Sequence, residues 1–107
     1  MSEIIKITKN NFEKEVLKSE KPILIDFWAA WCRPCRMTAP ELEAFANAHP
    51  EISVGKINVD EEGELSAAFN VNSIPTLFFI ENGKIKNKSV GAMTKDQIER
   101  KFISSKA

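Results

Sequence analysis

The sequence is short of the residues that several classes of site require. It holds two cysteines and one histidine in 107 residues, and its 15 basic and 15 acidic side chains leave no net charge. Nucleic acids and anionic membranes attract proteins with a concentrated positive field, so neither is expected as a partner. No apolar run approaches the ~18 residues of a membrane span. No glycine-rich dinucleotide fingerprint is present, so NADPH should not bind to this chain.

The N-terminus, MSEIIKITKN, has no long apolar core after a basic start and is not expected to be a signal peptide. We therefore expect a cytoplasmic, reducing location, where a persistent structural disulfide is rare. The length suits one domain spanning residues 1–107. No large apolar surface stripe demands a dimer, so a monomer is expected.

The apolar pattern predicts strands that alternate with helices. PILIDFWA and TLFFI are apolar on both faces, apart from one aspartate, which is typical of covered central strands. EIIKITK and ISVGKINVD predict two more strands, and Asn82-Gly83 predicts a hairpin that returns through GKIKNKSVG. The order β-α-β-α-β-α-β-β-α indicates an α/β fold whose mixed sheet carries helices on both sides.

Capping residues and apolar spacing predict where the helices lie. Asn10 or Asn11 should cap a short first helix, and Asp60 should cap another. Thr94 and Gln97 form a capping box at the start of the last helix. The predicted buried faces of the four helices carry Phe12, Val16 and Leu17; Leu42, Phe45 and Ala46; Leu65, Ala68 and Phe69; and Ile98 and Phe102.

Both cysteines, Cys32 and Cys35, lie in WCRPC, between a predicted buried strand and the longest predicted helix. Pro34 suits the first turn of that helix, Pro40 should interrupt and kink it, and His49 should end it. A zinc site is disfavoured, because it needs three or four ligands and His49 would lie roughly 20 Å from the cysteines. A disulfide staple across about four residues would add only ~2 kcal/mol. Two incidental core cysteines would be poorly placed in a loop, so a redox couple is favoured.

The spacing of the cysteines gives the redox interpretation a mechanism. Two residues at i and i+3 at a helix start can bring their sulfurs within disulfide geometry. Cys32 precedes the helix, where free N–H groups and the positive end of the helix dipole favour its thiolate. Cys35 lies one turn inside and should be more shielded. Cys32 is therefore predicted to attack a substrate disulfide, and Cys35 to resolve the mixed disulfide.

Motifs outside the cysteine loop extend the pattern, since SIPT and VGAM follow downstream of WCRPC. With these motifs the chain resembles the thioredoxin family over essentially its whole length. The matching positions are Asp26, Trp28, Trp31, Cys32, Pro34, Cys35, Pro40, Lys56, Pro75, Gly83 and Gly91. The resemblance implies the thioredoxin fold, with a central mixed five-stranded sheet flanked by four helices. It also implies that no metal or organic cofactor is bound.

The resemblance further implies a groove that binds the substrate chain. Pro75 is expected to be cis and to face the cysteines. The backbone of Ile74 is expected to bind the substrate like an added strand. The other expected groove residues are Gly91 and Ala92, with Trp31 and Pro34 as an apolar rim.

Asp26 is the one charged residue in PILIDFWA and cannot face water if that strand is central. Burial raises the pKa of a carboxyl group. From the residues alone, Asp26 is either a structural aspartate bonded to backbone N–H groups or the acceptor of the Cys35 proton. The resemblance favours the proton acceptor, with Lys56 as its neighbour.

One residue of the motif departs from the family pattern, because Arg33 stands where most thioredoxins carry glycine. A charge about 7 Å from a thiolate contributes about 0.6 kcal/mol in water, which makes the couple more oxidising by about 10–15 mV. This change tunes the couple without reversing its role. Arg33 is also expected to favour clients with acidic surfaces.

We therefore expect an enzyme, a thiol-disulfide oxidoreductase that reduces disulfides in client proteins. The resemblance implies a thioredoxin reductase as its partner, with electrons supplied indirectly from NADPH. Two alternatives stay open at this point. One is a disulfide oxidase or isomerase, for which an export signal would be expected, and the other is a redox-silent binding module that uses the same groove.

Overall fold

The computed structural model describes residues 3–103. Five strands within this range form one mixed sheet. The strands are β1 (Ile4–Lys6), β2 (Ile23–Trp28), β3 (Ser53–Asn58), β4 (Thr76–Glu81) and β5 (Lys84–Val90). Their order across the sheet is β1-β3-β2-β4-β5. The β1–β3 and β2–β3 pairs are parallel, and the β2–β4 and β4–β5 pairs are antiparallel. The predicted fold class is confirmed.

Four helical segments flank the sheet within residues 3–103. They are a π-helical segment (Glu13–Leu17) and the α-helices α1 (Arg33–Ala48), α2 (Gly63–Ala68) and α3 (Lys95–Phe102). One core cluster joins α1 and α3 to one face of the sheet, and a second joins the π-helical segment and α2 to the other face. No helix in this part of the chain is long and apolar enough to cross a membrane.

Local sequence explains the middle and the edge of the sheet. β2 and β4 are buried on both faces, as their apolar runs predict. Alternation along β2 sends Leu24 into the core beneath α1 and Ile25 into the opposite core. Asn82 and Gly83 have φ values of 55° and 75°, the conformation that a tight hairpin requires. β5 therefore returns beside β4 and forms an edge whose lysines face solvent.

The predicted ends of α1 and α3 are confirmed in part. Thr94 and Gln97 form the capping box, with reciprocal hydrogen bonds of 3.1 and 2.9 Å. α1 ends at Ala48 with His49 as its C-cap. The helix is continuous through Pro40, so the predicted interruption is wrong. A proline removes one helical hydrogen bond, and the buried apolar face of α1 offsets that loss.

The prediction for the first helical segment is wrong in two details. Phe12 is its N-cap and makes no side-chain capping bond, whereas Asn11 accepts a hydrogen bond from the Thr8 N–H at 2.7 Å. Asn11 thus stabilises the preceding turn. Leu17 is 48% exposed, because one turn of π-helix directs only Val16 fully into the core.

The cap predicted for α2 is also wrong. Glu62 is the N-cap of α2, and the Asp60 side chain accepts a hydrogen bond from Trp31 instead. Ala68 is exposed, contrary to the predicted buried face. Leu65 and Phe69 are partly buried against the sheet, as predicted.

Candidate active site

The two cysteines lie at the N-terminus of α1, directly after β2. Cys32 is the N-cap of the helix, and a disulfide joins it to Cys35, whose Cα atom is 5.3 Å away. The Cys35 backbone N–H donates a hydrogen bond to Cys32 Sγ at 3.2 Å. The first N–H groups of a helix have no partner within the helix, and this one meets the sulfur, an arrangement that favours negative charge there.

The expected difference in depth between the cysteines is small. Cys32 is 4% exposed and Cys35 is 2% exposed, because the chain around Trp28 and Ile74 packs over both. The two cysteines differ in the polar groups around the sulfur rather than in solvent exposure. Cys32 Sγ receives the helix N–H and also lies 3.8 Å from the carbonyl oxygen of Ile74.

Two loops distant in sequence meet beside Cys32. The Ile74–Pro75 peptide bond is cis, and the Ile74 carbonyl lies next to the sulfur. The Gly91 N–H donates to the Pro75 carbonyl at 2.8 Å, which joins the second loop to the first. Gly91 has a φ of 106°, which favours glycine because a Cβ would strain the backbone there. Ala92 follows it and is exposed. These contacts bring the loops at Ile74–Pro75 and Gly91 together on the side of Cys32.

The rim of this site faces solvent. Trp31 is 68% exposed, and Arg33 and Pro34 are exposed beside it. The Trp31 indole N–H donates to Asp60 Oδ2 at 2.9 Å, which holds the ring beside the cysteine loop. Asp60 is a member of this site that no sequence pattern indicated. Its position before a predicted helix suggested a cap, and no local pattern points to a tryptophan 29 residues away.

Asp26 is a fully buried carboxyl group on the central strand. Neither of its carboxylate oxygens has a hydrogen-bonding partner within residues 3–103. Of the two interpretations of Asp26 that the sequence allowed, the structural aspartate bonded to backbone N–H groups is therefore excluded. Burial raises the pKa of Asp26 to about 7, against a smaller lowering effect of the Lys56 charge. The group can therefore exchange a proton near neutral pH.

The strand places Asp26 on the same side of the sheet as the cysteine helix. Alternation along β2 puts Leu24, Asp26 and Trp28 on one face. Leu24 packs in the core with α1, and Trp28 packs against the cluster that contains both cysteines. Asp26 thus lies on the face of the sheet that α1 covers, between Leu24 and Trp28 along the strand.

Lys56 is the register partner of Asp26 on the neighbouring strand, β3. Its Nζ atom lies 4.6 Å from the centre of the Trp28 ring, which is a cation–π contact. Lys56 and Trp28 line a pocket of about 300 Å³ that opens beside β1 and β3. The register pairing places Lys56 beside Asp26 on the neighbouring strand.

His49 lies at the opposite end of α1 from the cysteines. Its ring nitrogens lie 3.3 Å from Glu51 and 2.7 Å from Glu99. Across residues 3–103, no three His, Cys, Asp or Glu side chains are grouped so that they could hold a metal ion. Because Glu99 belongs to α3, its contact with His49 links the end of α1 to that helix.

Comparison with known proteins agrees with this geometry. A family model described as thioredoxin matches residues 3–104. The chain is 46% identical over 94 residues to a thioredoxin of Alicyclobacillus acidocaldarius, which covers 87% of this chain and 89% of that protein. It is 44% identical over 99 residues to a thioredoxin of Haemophilus influenzae, with 92% of each chain covered. Because both matches extend along most of the chain, it belongs to the thioredoxin family and is a thiol-disulfide oxidoreductase that reduces protein disulfides.

Proposed function

We propose that Cys32 is the nucleophile of this reductase and Cys35 is its resolving cysteine. The observation that carries the proposal is the hydrogen bond from the Cys35 N–H to Cys32 Sγ at the start of α1. A thiolate on Cys32 is stabilised by this N–H group and by the helix dipole without rearrangement of the backbone. Cys35 lies within reach of that sulfur, since the two already form a disulfide.

In the first step the reduced protein attacks a client protein. The Cys32 thiolate bonds to one sulfur of the client disulfide, the client S–S bond breaks, and the departing client sulfur takes up a proton. The client segment lies beside Ile74, whose carbonyl accepts a backbone N–H as in an added strand. Gly91 and Ala92 form the other wall of the groove, and Trp31 and Pro34 form its rim.

In the second step the mixed disulfide is resolved. The Cys35 thiol gives its proton to the Asp26 carboxylate, directly or through water, and its sulfur attacks Cys32 Sγ. The Cys32–Cys35 disulfide forms, and the second client sulfur leaves and is protonated. Two electrons have then passed from the dithiol to the client. A pKa of about 7 suits Asp26 to this role, because general bases work best near the ambient pH.

The cycle closes when a partner reduces the Cys32–Cys35 disulfide. Members of this family carry no bound cofactor, so the electrons come from another protein. We assign that role to a thioredoxin reductase, which draws them from NADPH. The proposal places the cycle in the cytoplasm and treats residues 1–107 as one domain that acts as a monomer. Arg33, exposed beside Cys32, favours clients with acidic surfaces.

An insulin turbidity assay with dithiothreitol tests the assigned roles. The wild-type protein should shorten the time before reduced insulin precipitates, and Cys35→Ala should not, because it cannot resolve the mixed disulfide. Cys35→Ala should instead accumulate as a disulfide with insulin, and the matched variant Cys32→Ser should accumulate none. Wild-type catalysis by Cys35→Ala, or trapping through Cys35 in Cys32→Ser, would contradict the proposal.

A further inference from the structure

Thr38 is a polar residue that is completely buried on α1. Its hydroxyl donates a hydrogen bond to the Pro34 carbonyl at 3.0 Å and accepts one from the Met93 N–H at 3.4 Å. Pro34 belongs to the cysteine motif, and Met93 belongs to the loop that begins at Gly91. A single buried oxygen therefore joins the rim of the proposed client groove at Pro34 to the loop that forms one of its walls.

Glu41 holds the same loop from the next turn of α1. Its Oε1 atom accepts a hydrogen bond from the Lys95 N–H at 2.7 Å. Lys95 is the first residue of α3, so the carboxylate also lies at the positive end of that helix. The opposite end of the loop is held by the bond from the Gly91 N–H to the Pro75 carbonyl. Segment 91–95 is thus bonded near its start, its middle and its end.

We propose that Thr38 and Glu41 are positioning residues for client binding. They hold segment 91–95 against α1 and so set the shape of the groove beside Cys32 before a client arrives. This inference rests on the proposed function, in which the client segment lies between the loops at Ile74 and Gly91. A wall that is already ordered loses less conformational entropy on binding, so these hydrogen bonds act on client affinity rather than on the reaction at sulfur.

Single-turnover oxidation of the reduced protein separates binding from chemistry. One oxidant is insulin, and the other is 5,5′-dithiobis(2-nitrobenzoate), a small disulfide that does not span the groove. Thr38→Val keeps the side-chain shape but removes the hydroxyl. It should raise the half-saturating insulin concentration about fivefold, the usual effect of one hydrogen bond. The limiting rate and the rate with the small disulfide should stay within about twofold of wild type.

Conservative variants provide the controls. Thr38→Ser keeps a hydroxyl and should restore wild-type saturation. Glu41→Ala should weaken insulin binding, whereas Glu41→Gln retains an oxygen acceptor and should resemble wild type. Glu43→Ala is the matched surface control, because Glu43 is exposed on the same helix. If Thr38→Val does not fold, the two Glu41 variants carry the test.

The proposal is overturned if Thr38→Val and Glu41→Ala saturate with insulin as wild type does. It is also overturned if oxidation by insulin and oxidation by the small disulfide slow by the same factor in these variants. That result would indicate general damage to the active site. Failure of the proposed function would look different. The wild-type protein would then be oxidised by insulin no faster than Cys32→Ser.

Discussion

Asp26 and Lys56 are register partners on neighbouring parallel strands, yet the Lys56 ammonium lies over the Trp28 ring, 4.6 Å from its centre. The carboxylate oxygens of Asp26 have no hydrogen-bonding partner within residues 3–103. Burial therefore outweighs the nearby positive charge, and the pKa of Asp26 rises to about 7. The pKa of the proton acceptor proposed for Cys35 is thus set mainly by burial, and the Lys56 charge limits the rise.

Asp26→Asn should stabilise the fold above pH 7 and have little effect near pH 4. Folding raises the pKa of Asp26 from 3.8 to about 7, so the folded state binds the proton more tightly. Wild-type stability therefore falls as the pH rises between these two values. A separation of about three pH units corresponds to about 4 kcal/mol. Denaturant titrations at pH 4 and pH 8 measure the effect, and equal stabilities at pH 8 would contradict the raised pKa.

Lys56→Met should raise the pKa of Asp26 further, because the lysine charge is the influence that lowers it. The pH at which stability stops falling should therefore move upward relative to wild type. A carboxyl-carbon NMR titration of Asp26 would report the same change. Lys6→Met is the matched control, because Lys6 lines the same pocket but pairs with Glu61 at 3.5 Å. The account fails if both variants shift the titration equally.

Arg33→Gly should make the dithiol couple more reducing by about 10–15 mV, because an exposed charge near the thiolate contributes weakly in water. The alkylation rate of Cys32 should also reach its midpoint at a higher pH. Equilibration with glutathione buffers measures the potential. Arg33→Gln is the control for backbone effects, because it removes the charge without adding glycine to the helix start. No change in either quantity in both variants would remove this electrostatic explanation.

Glu99→Gln should weaken the link between α1 and α3 in a pH-dependent way. The Glu99 carboxylate lies 2.7 Å from His49 Nε2 and 2.9 Å from Lys95 Nζ. The hydrogen bond with His49, followed by that with Lys95, holds the pKa of Glu99 below its usual value of 4.5. A lowered carboxyl pKa stabilises the fold above the ordinary value, and this stability is lost as the pH falls through the folded-state pKa.

The Glu99→Gln variant should therefore lose stability relative to wild type at pH 7 and lose less at pH 3. Denaturant titrations at both pH values provide the measurement. Glu43→Gln, on the exposed face of α1, controls for removal of one acidic charge. Equal losses at pH 3 and pH 7 would mean that the carboxylate does not act through its charge.

Patterns within a few residues predicted much of the fold. The apolar runs of β2 and β4, the Asn82-Gly83 turn and the Thr94–Gln97 capping box all lie where the sequence suggested. The family assignment also sets aside the redox-silent module and the oxidase or isomerase. The sequence predicted Asp60 to be a helix cap, because an aspartate just before a helix is typical of a cap. Nothing nearby in the sequence indicates that its carboxylate binds the Trp31 indole instead. The hydroxyl of Thr38 meets a backbone group 55 residues away, and no local pattern indicates that contact.

The sequence alone determined that two sulfurs would meet at a helix start, because i, i+3 spacing brings them together wherever that helix packs. Only the tertiary structure decided that Asp26 would lack a hydrogen-bonding partner, that Cys32 would be nearly as buried as Cys35, and that α1 would hold segment 91–95. The physical reason is the separation along the chain over which each kind of interaction acts. Caps, turns and periodicity act over a few residues, whereas solvation and hydrogen bonding of a buried group depend on elements that the fold brings from far along the chain.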